Sequence, residues 1–194
     1  MTSPRFRCIA VVVLALVLDA CSLYKGMREV PPAQVNVAAP PDQAAIVFMR
    51  WKTGGALSTS LFELREPPDR FIGILVSESR LLYLTAPGRT RFMVIGHSAS
   101  FLDADLAAGK TYYVGIVPGD AAGEVFVLRP LRDKDLKTRE AASCASVCAW
   151  LVNGARSEQW ARSQANSIQR KKERYLPEWE RRADKAVLLA TDGR

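Results

Sequence analysis

Histidine occurs once in this chain of 194 residues, at His97, and cysteine only four times. Catalysis of the Ser-His-Asp or Cys-His kind would therefore have to run through His97. That residue ends the apolar run Phe92-Met93-Val94-Ile95 and sits beside Ser98, a place that suits a structural or surface side chain. A zinc site there would need Cys or carboxylate partners, and the only downstream cysteines, Cys144 and Cys148, belong to a helix-like tail. His-Glu-x-x-His, Gly-x-Ser-x-Gly and Cys-x-x-Cys are all missing. Gly109-Lys110-Thr111 has the end of a phosphate-binding loop but not its start. Position 104 is Ala where Gly is required, and a strand follows where a helix is needed. Acidic residues are the minority, 20 Asp+Glu against 27 Lys+Arg, for a formal net charge of +7. Such a charge favours anionic partners and says nothing about fold. These absences predict a protein that is not an enzyme, with no cofactor and no metal.

What is present begins with an address. Met1–Arg7 carries Arg5 and Arg7 and no acid, and Cys8–Leu18 is almost wholly apolar. A basic segment followed by about eleven apolar residues matches a secretory signal over residues 1–20. A spanning helix needs about twenty apolar residues, so this run is too short for one. Leu18-Asp19-Ala20-Cys21 resembles the lipobox of bacterial lipoproteins, with Asp19 departing from the small or hydroxyl residue usual there. The resemblance implies cleavage before Cys21, a diacylglyceryl thioether on its sulfur and acylation of the new amino group. Cysteine suits that role because its thiolate is nucleophilic near neutral pH. Ser22, where Asp would imply retention at the inner membrane, points to the outer membrane. The mature chain keeps its basic excess, and in an oxidising compartment only Cys144 and Cys148 are left as thiols.

Residues 21–43 read as the lipidated Cys21 and a tether, because Pro31, Pro32, Pro40 and Pro41 interrupt small and polar residues without apolar periodicity. An edge strand near Gln34–Ala38 is the other reading. From Ala44 short β-prone runs alternate with Gly and Pro. Strands are predicted at 44–51, 58–65, 70–76, 80–85, 90–97, 100–106, 111–117 and 124–129. This spacing predicts a mainly β fold, an antiparallel β-sandwich-like domain over 44–130. A helical, basic C-terminal extension follows over 131–194. Helices are expected at 133–152, ending at Asn153-Gly154, and from Ser157 to about Tyr175. Pro177 would open a third, with Trp179, Ala183, Ala186, Val187 and Ala190 on one stripe.

Three pieces between Ala44 and Val117 resemble a family of bacterial lipoproteins with a β-sandwich-like domain of no assigned activity. They are Ala45-Ile46-Val47-Phe48-Met49-Arg50, then Phe71-Ile72-Gly73-Ile74-Leu75 with Tyr83-Leu84-Thr85-Ala86-Pro87-Gly88-Arg89, and Leu106-Ala107-Ala108-Gly109-Lys110-Thr111-Tyr112-Tyr113-Val114. The resemblance covers a little under half the chain. It implies fold and envelope location, and carries no activity. The residues themselves read structurally: Pro87-Gly88 suits a tight turn, since Pro presets φ and Gly accepts a positive one.

Three sets of side chains are candidates for function beside Cys21. Asp103 and Asp105 share a strand face and could bind calcium or do acid–base work, or form the solvent face of a strand with Leu102, Ala104 and Leu106 inward. Cys144 and Cys148 are four apart. Side chains so spaced on a regular helix hold their Cβ atoms about 6 Å apart, and a disulfide needs about 3.8 Å. A bridge therefore requires an irregular turn; disulfide and buried free thiols are both open. Arg170, Lys171, Lys172 and Arg174 surround Glu173 in the densest basic run, read either as a solvated helix face or as a contact for anionic lipid, phosphate or an acidic protein. Nucleic acid is not an expected partner of an exported chain. The function expected is an envelope lipoprotein on the periplasmic side of the outer membrane, acting as a binding or assembly module. The alternative is an envelope enzyme or small-ligand-binding protein, with a pocket at one end of the β-domain lined by Asp103, Asp105 and His97.

Overall fold

The computed structural model describes residues 26–52, 57–119 and 126–194. The proposed signal and Cys21 lie outside the described residues. The chain enters through a short strand β1 (Arg28–Val30), one turn of 3-10 helix at Pro32–Gln34, and then β2 (Ala44–Arg50). Six strands follow: β3 (Thr59–Leu64), β4 (Arg70–Leu75), β5 (Ser79–Thr85), β6 (Gly88–Ile95), β7 (Ala99–Leu106) and β8 (Thr111–Pro118). After β9 (Phe126–Pro130) come α1 (Asp133–Leu136), α2 (Arg139–Val147), β10 (Ala149–Val152), α3 (Ala155–Ser163), α4 (Ala165–Arg181) and β11 (Val187–Leu188).

All eight predicted strands are present, with their ends shifted by no more than a few residues. The punctuation acts as its chemistry requires: Gly88, at the start of β6, and Gly109, between β7 and β8, both have positive φ, +111° and +69°, where the chain passes from one sheet to the other. The strands form two stacked sheets, ordered β1-β10-β5-β2-β8-β9 and β11-β7-β6-β3-β4. Ile46 and Phe48 of the first sheet meet Leu61, Phe92, Val94 and Leu102 of the second in the main core. The architecture is a sandwich, but its sheets are mixed rather than antiparallel. β2 runs parallel to β8, β10 parallel to β5, and β11 parallel to β7. The reason is topological. The chain leaves β2, builds most of the second sheet, and returns to the end where β2 began, so Thr111 at the start of β8 lies beside Ala45.

Both sheets are also covered on their outer faces. Val47, Met49 and Trp150 of the first pack with Val30, Leu131, Cys144 and Cys148, and with Val35 and Val37 of the Pro-rich stretch. On the second, Phe62, Met93 and Phe101 pack under Ile168 and Trp179 of α4. Burial on two faces explains why β2 shows no alternation and is buried along its whole length.

The segments expected to be peripheral belong to this body. From Gly26 on, the stretch read as a tether lies on the domain: Met27 is buried in the main core and β1 pairs with β10. The strand is at Arg28–Val30, not near Gln34–Ala38. The helix expected over 133–152 stops at Val147, and Ala149–Val152 becomes β10, inserted between β1 and β5. Arg80 holds that corner by donating to the Ala145 carbonyl and stacking 4.2 Å above the Trp150 ring. Pro177 lies inside α4 and opens no third helix. Its ring deprives only the carbonyl of Glu173, which is on the exposed side, of a helical partner. The stripe expected after Pro177 is not helical, because the chain leaves α4 at Arg182 and Val187–Leu188 joins β7 instead.

Candidate functional site

α4 docks across the second sheet through a sparse stripe, Ile168, Tyr175, Leu176 and Trp179, on the cluster of Phe62, Met93, Ile95 and Phe101. Phe101 and Trp179 stack with ring centroids 5.6 Å apart. Two lysines beside the stripe pin the helix from either side. Lys171 donates to the Gly96 carbonyl in the β6–β7 turn. Lys172 pairs with Asp69 of the β3–β4 loop at 2.7 Å, with both side chains mostly buried. Half of the predicted basic set therefore serves to attach the helix.

The other half faces outward. Arg170 and Arg174, four apart and on one face, are both exposed. They line an open cleft of about 610 Å³ with Ser167, Lys171, Glu173, Tyr175 and the exposed His97. Arg174 lies over the Tyr175 ring at 5.4 Å, and Glu173 accepts a hydrogen bond from Gln169 at 2.8 Å. Two outward guanidinium groups thus share an open cleft with one carboxylate and with Lys171, whose ammonium also holds the Gly96 carbonyl. Guanidinium groups are planar forks that match phosphate or carboxylate oxygens, and Ser167 adds a hydroxyl donor. His97 was expected at a strand end; it stands at the tip of a tight turn closed by the Gly96 N–H to Ser98 carbonyl bond of 2.9 Å.

The remaining candidates are dispersed. Leu102, Ala104 and Leu106 point into the main core as expected. Asp103 pairs with Arg91 at 2.7 Å, and Arg91 also bonds Glu180 at 2.9 Å and lies over the Trp179 ring. Asp103 is thus another helix-docking group, and Asp105 is exposed. His97 lies in the turn before β7 and lines the cleft beside α4, to which neither Asp103 nor Asp105 contributes, so these three do not meet there. Among the described residues no group of three or more His, Cys, Asp or Glu could hold a metal ion. Cys144 and Cys148 form a disulfide, with Cα atoms 4.7 Å apart. The irregular turn it requires is supplied where α2 ends and Cys148 adopts an extended conformation.

Two buried charges between the sheets escaped the sequence reading. Glu63 accepts hydrogen bonds from Tyr83 at 2.7 Å, Thr85 at 2.8 Å and Thr90 at 3.0 Å, and pairs with Arg65. Burial pushes its carboxyl up, but those bonds and the Arg65 charge outweigh it and hold it below the usual glutamate range. Burial and the neighbouring Glu63 in turn push the Tyr83 phenol up. Arg50 is fully buried. It donates to the Leu75 carbonyl at 3.0 Å and lies 4.3 Å over the Phe126 ring. Among the described residues its Nε and second terminal nitrogen have no hydrogen-bond partner, and burial lowers its pKa to about 10. A signal for both was available: Arg50 is in phase with Ile46 and Phe48, and Glu63 with Leu61. Charge in the inward phase of a strand marks a buried polar group.

Among the described residues no helix is long and apolar enough to cross a membrane. No protein-family model matches the chain, and no curated protein matches it.

Proposed function

We propose that this chain is an envelope lipoprotein, held on the periplasmic face of the outer membrane by lipid on Cys21, whose β-sandwich acts as a non-enzymatic binding or assembly module. Its basic cleft meets an anionic, phosphate-bearing component of that surface. The observation that carries the reading is the cleft itself, lined by Arg170 and Arg174 of α4 and by His97 of the β6–β7 turn, on a helix that Lys171 holds to that turn. The Leu18-Asp19-Ala20-Cys21 segment supports the anchor, and the Cys144–Cys148 bridge suits an oxidising compartment. Lipid attachment would confine the domain near a charged surface, where each basic residue adds about 1 kcal/mol of attraction within a Debye length.

Two measurements test the reading. Cys21→Ser should abolish labelling by a fatty-acid probe; labelling and fractionation like wild type would remove the anchor. A form lacking residues 1–21 should bind vesicles rich in anionic phospholipid at low salt and release at high salt. Arg170→Glu with Arg174→Glu should weaken binding by about thirtyfold or more, from two lost attractions of about 1 kcal/mol each. Indifference to anionic vesicles at low salt would exclude the lipid contact.

A further inference from the structure

β9 is the last strand of the first sheet, and among the described residues its only strand partner is β8. Facing it in the second sheet is the first half of β7. There Ser100 and Phe101 pair with β6 alone, because β11 reaches β7 only at Asp103 and Ala104. Between these two unpaired edges runs a groove of about 380 Å³, floored by Phe101, Leu128 and Trp179. All three are buried. An open strand edge offers a row of backbone donors and acceptors that another extended chain can satisfy.

The charge around the groove selects what can enter it. Arg129 is exposed, and no ion pair engages it among the described residues. Lys185 and Arg182 stand on the opposite rim, and among the described residues Asp184, bonded to Arg182 at 3.1 Å, is the one acid lining the groove. A strand lying about 4.8 Å from β9 would place alternate side chains down on Phe101 and Trp179 and the others up among these cations. We propose that the β9 edge accepts an extended, acidic segment of a partner protein as an added strand. Apolar residues would alternate with Asp or Glu in that segment. This surface is distinct from the cleft of Arg170 and Arg174, and does not depend on it. A second copy of this chain is a poorer occupant, because pairing β9 with itself would bring two Arg129 side chains together.

The probe is a capped nonapeptide of alternating Glu and Val. Its controls are the Lys–Val counterpart and a Glu–Val peptide N-methylated at every second residue, which keeps the charge and removes half of the backbone donors. Binding is followed by calorimetry with the disulfide-intact protein lacking residues 1–21, and by amide hydrogen exchange at residues 126–129. The Glu–Val peptide should bind and slow exchange in β9, while the Lys–Val peptide should not bind. N-methylation should weaken binding at least tenfold, as should Arg129→Glu with Lys185→Glu. Arg170→Glu with Arg174→Glu should change it less than twofold. All these positions are partly or fully exposed, so the variants should keep the wild-type circular dichroism. Four results would overturn the proposal: no binding of the Glu–Val peptide; binding indifferent to N-methylation; binding lost only with Arg170 and Arg174; or a dimer with protected β9 amides in the absence of peptide.

Discussion

Glu63→Gln separates the charge of the buried network from its shape. Glu63 is almost fully buried between the sheets and takes hydrogen bonds from three hydroxyls. A bond to a charged acceptor contributes about 1.5–3 kcal/mol, against about 1 kcal/mol for a neutral one. Three such exchanges remove about 1.5–6 kcal/mol, and relief of the carboxylate's desolvation returns part of it. Arg65 is 41% exposed, so its pair with Glu63 adds little. The expected loss at pH 7 is about 2–3 kcal/mol, read from urea midpoints. The pH dependence gives the sharper check. Because the folded-state carboxyl titrates below its ordinary value of 4.5, its contribution is complete above that value. It is lost as pH falls through the lower, folded-state value. The gap between wild type and Glu63→Gln should therefore be widest near neutrality and narrow steadily below pH 4.5. A gap that stays constant or widens on acidification would refute the reasoning. So would a variant as stable as wild type at pH 7.

Arg50→Met should leave stability unchanged or raise it by up to about 2 kcal/mol, since it removes a buried cation with two nitrogens unpaired among the described residues, and Thr59 still donates to the Leu75 carbonyl; a loss beyond about 2 kcal/mol in urea unfolding would show that the Leu75 bond and Phe126 stacking dominate. Cys144→Ala with Cys148→Ala should cost about 2 kcal/mol, the chain entropy of a loop this short, and thermal unfolding should register it without a change in secondary structure. Deleting everything after Pro130 should produce an aggregated or unfolded product by size-exclusion chromatography and circular dichroism. It strips Ile168 and Trp179 from Phe62, Met93 and Phe101 and removes β10 and β11 from the sheets.

The candidate site was half legible. The run from Arg170 to Arg174 announces a basic helix face in one dimension, but which cations stay outside depends on distant neighbours. Lys172 is drawn inward by Asp69, and Lys171 by a carbonyl in the β6–β7 turn. Neither partner lies within seventy residues of its lysine, so no local pattern could pair them. His97 joins the cleft for the same reason, through the docking of α4 rather than through spacing. The disulfide was legible only as a condition: the bridge needs a broken helix, and α2 breaks at Val147.

The fold divides along the same line. Strand positions followed from turn chemistry and β-prone runs, which are local, and all eight predicted between Ala44 and Pro130 are present. Strand direction in the sheets did not follow, because β2 and β8 are joined only after five intervening strands. The C-terminal stretch misled more deeply. Ala149-Trp150-Leu151-Val152 continues an alanine-rich run and reads as the end of a helix, yet its aromatic and β-branched residues suit a strand equally well. The deciding force is an open position in the first sheet between β1 and β5, where these residues bury Trp150 and Leu151. Apolar residues near Val187 likewise satisfy a helical stripe on paper, while Leu188 is buried against the main core as part of β11. Tail and N-terminal stretch therefore complete the sandwich that their own periodicity does not foretell. The groove beside β9 remains open because β11, the last piece of that completion, spans only two residues.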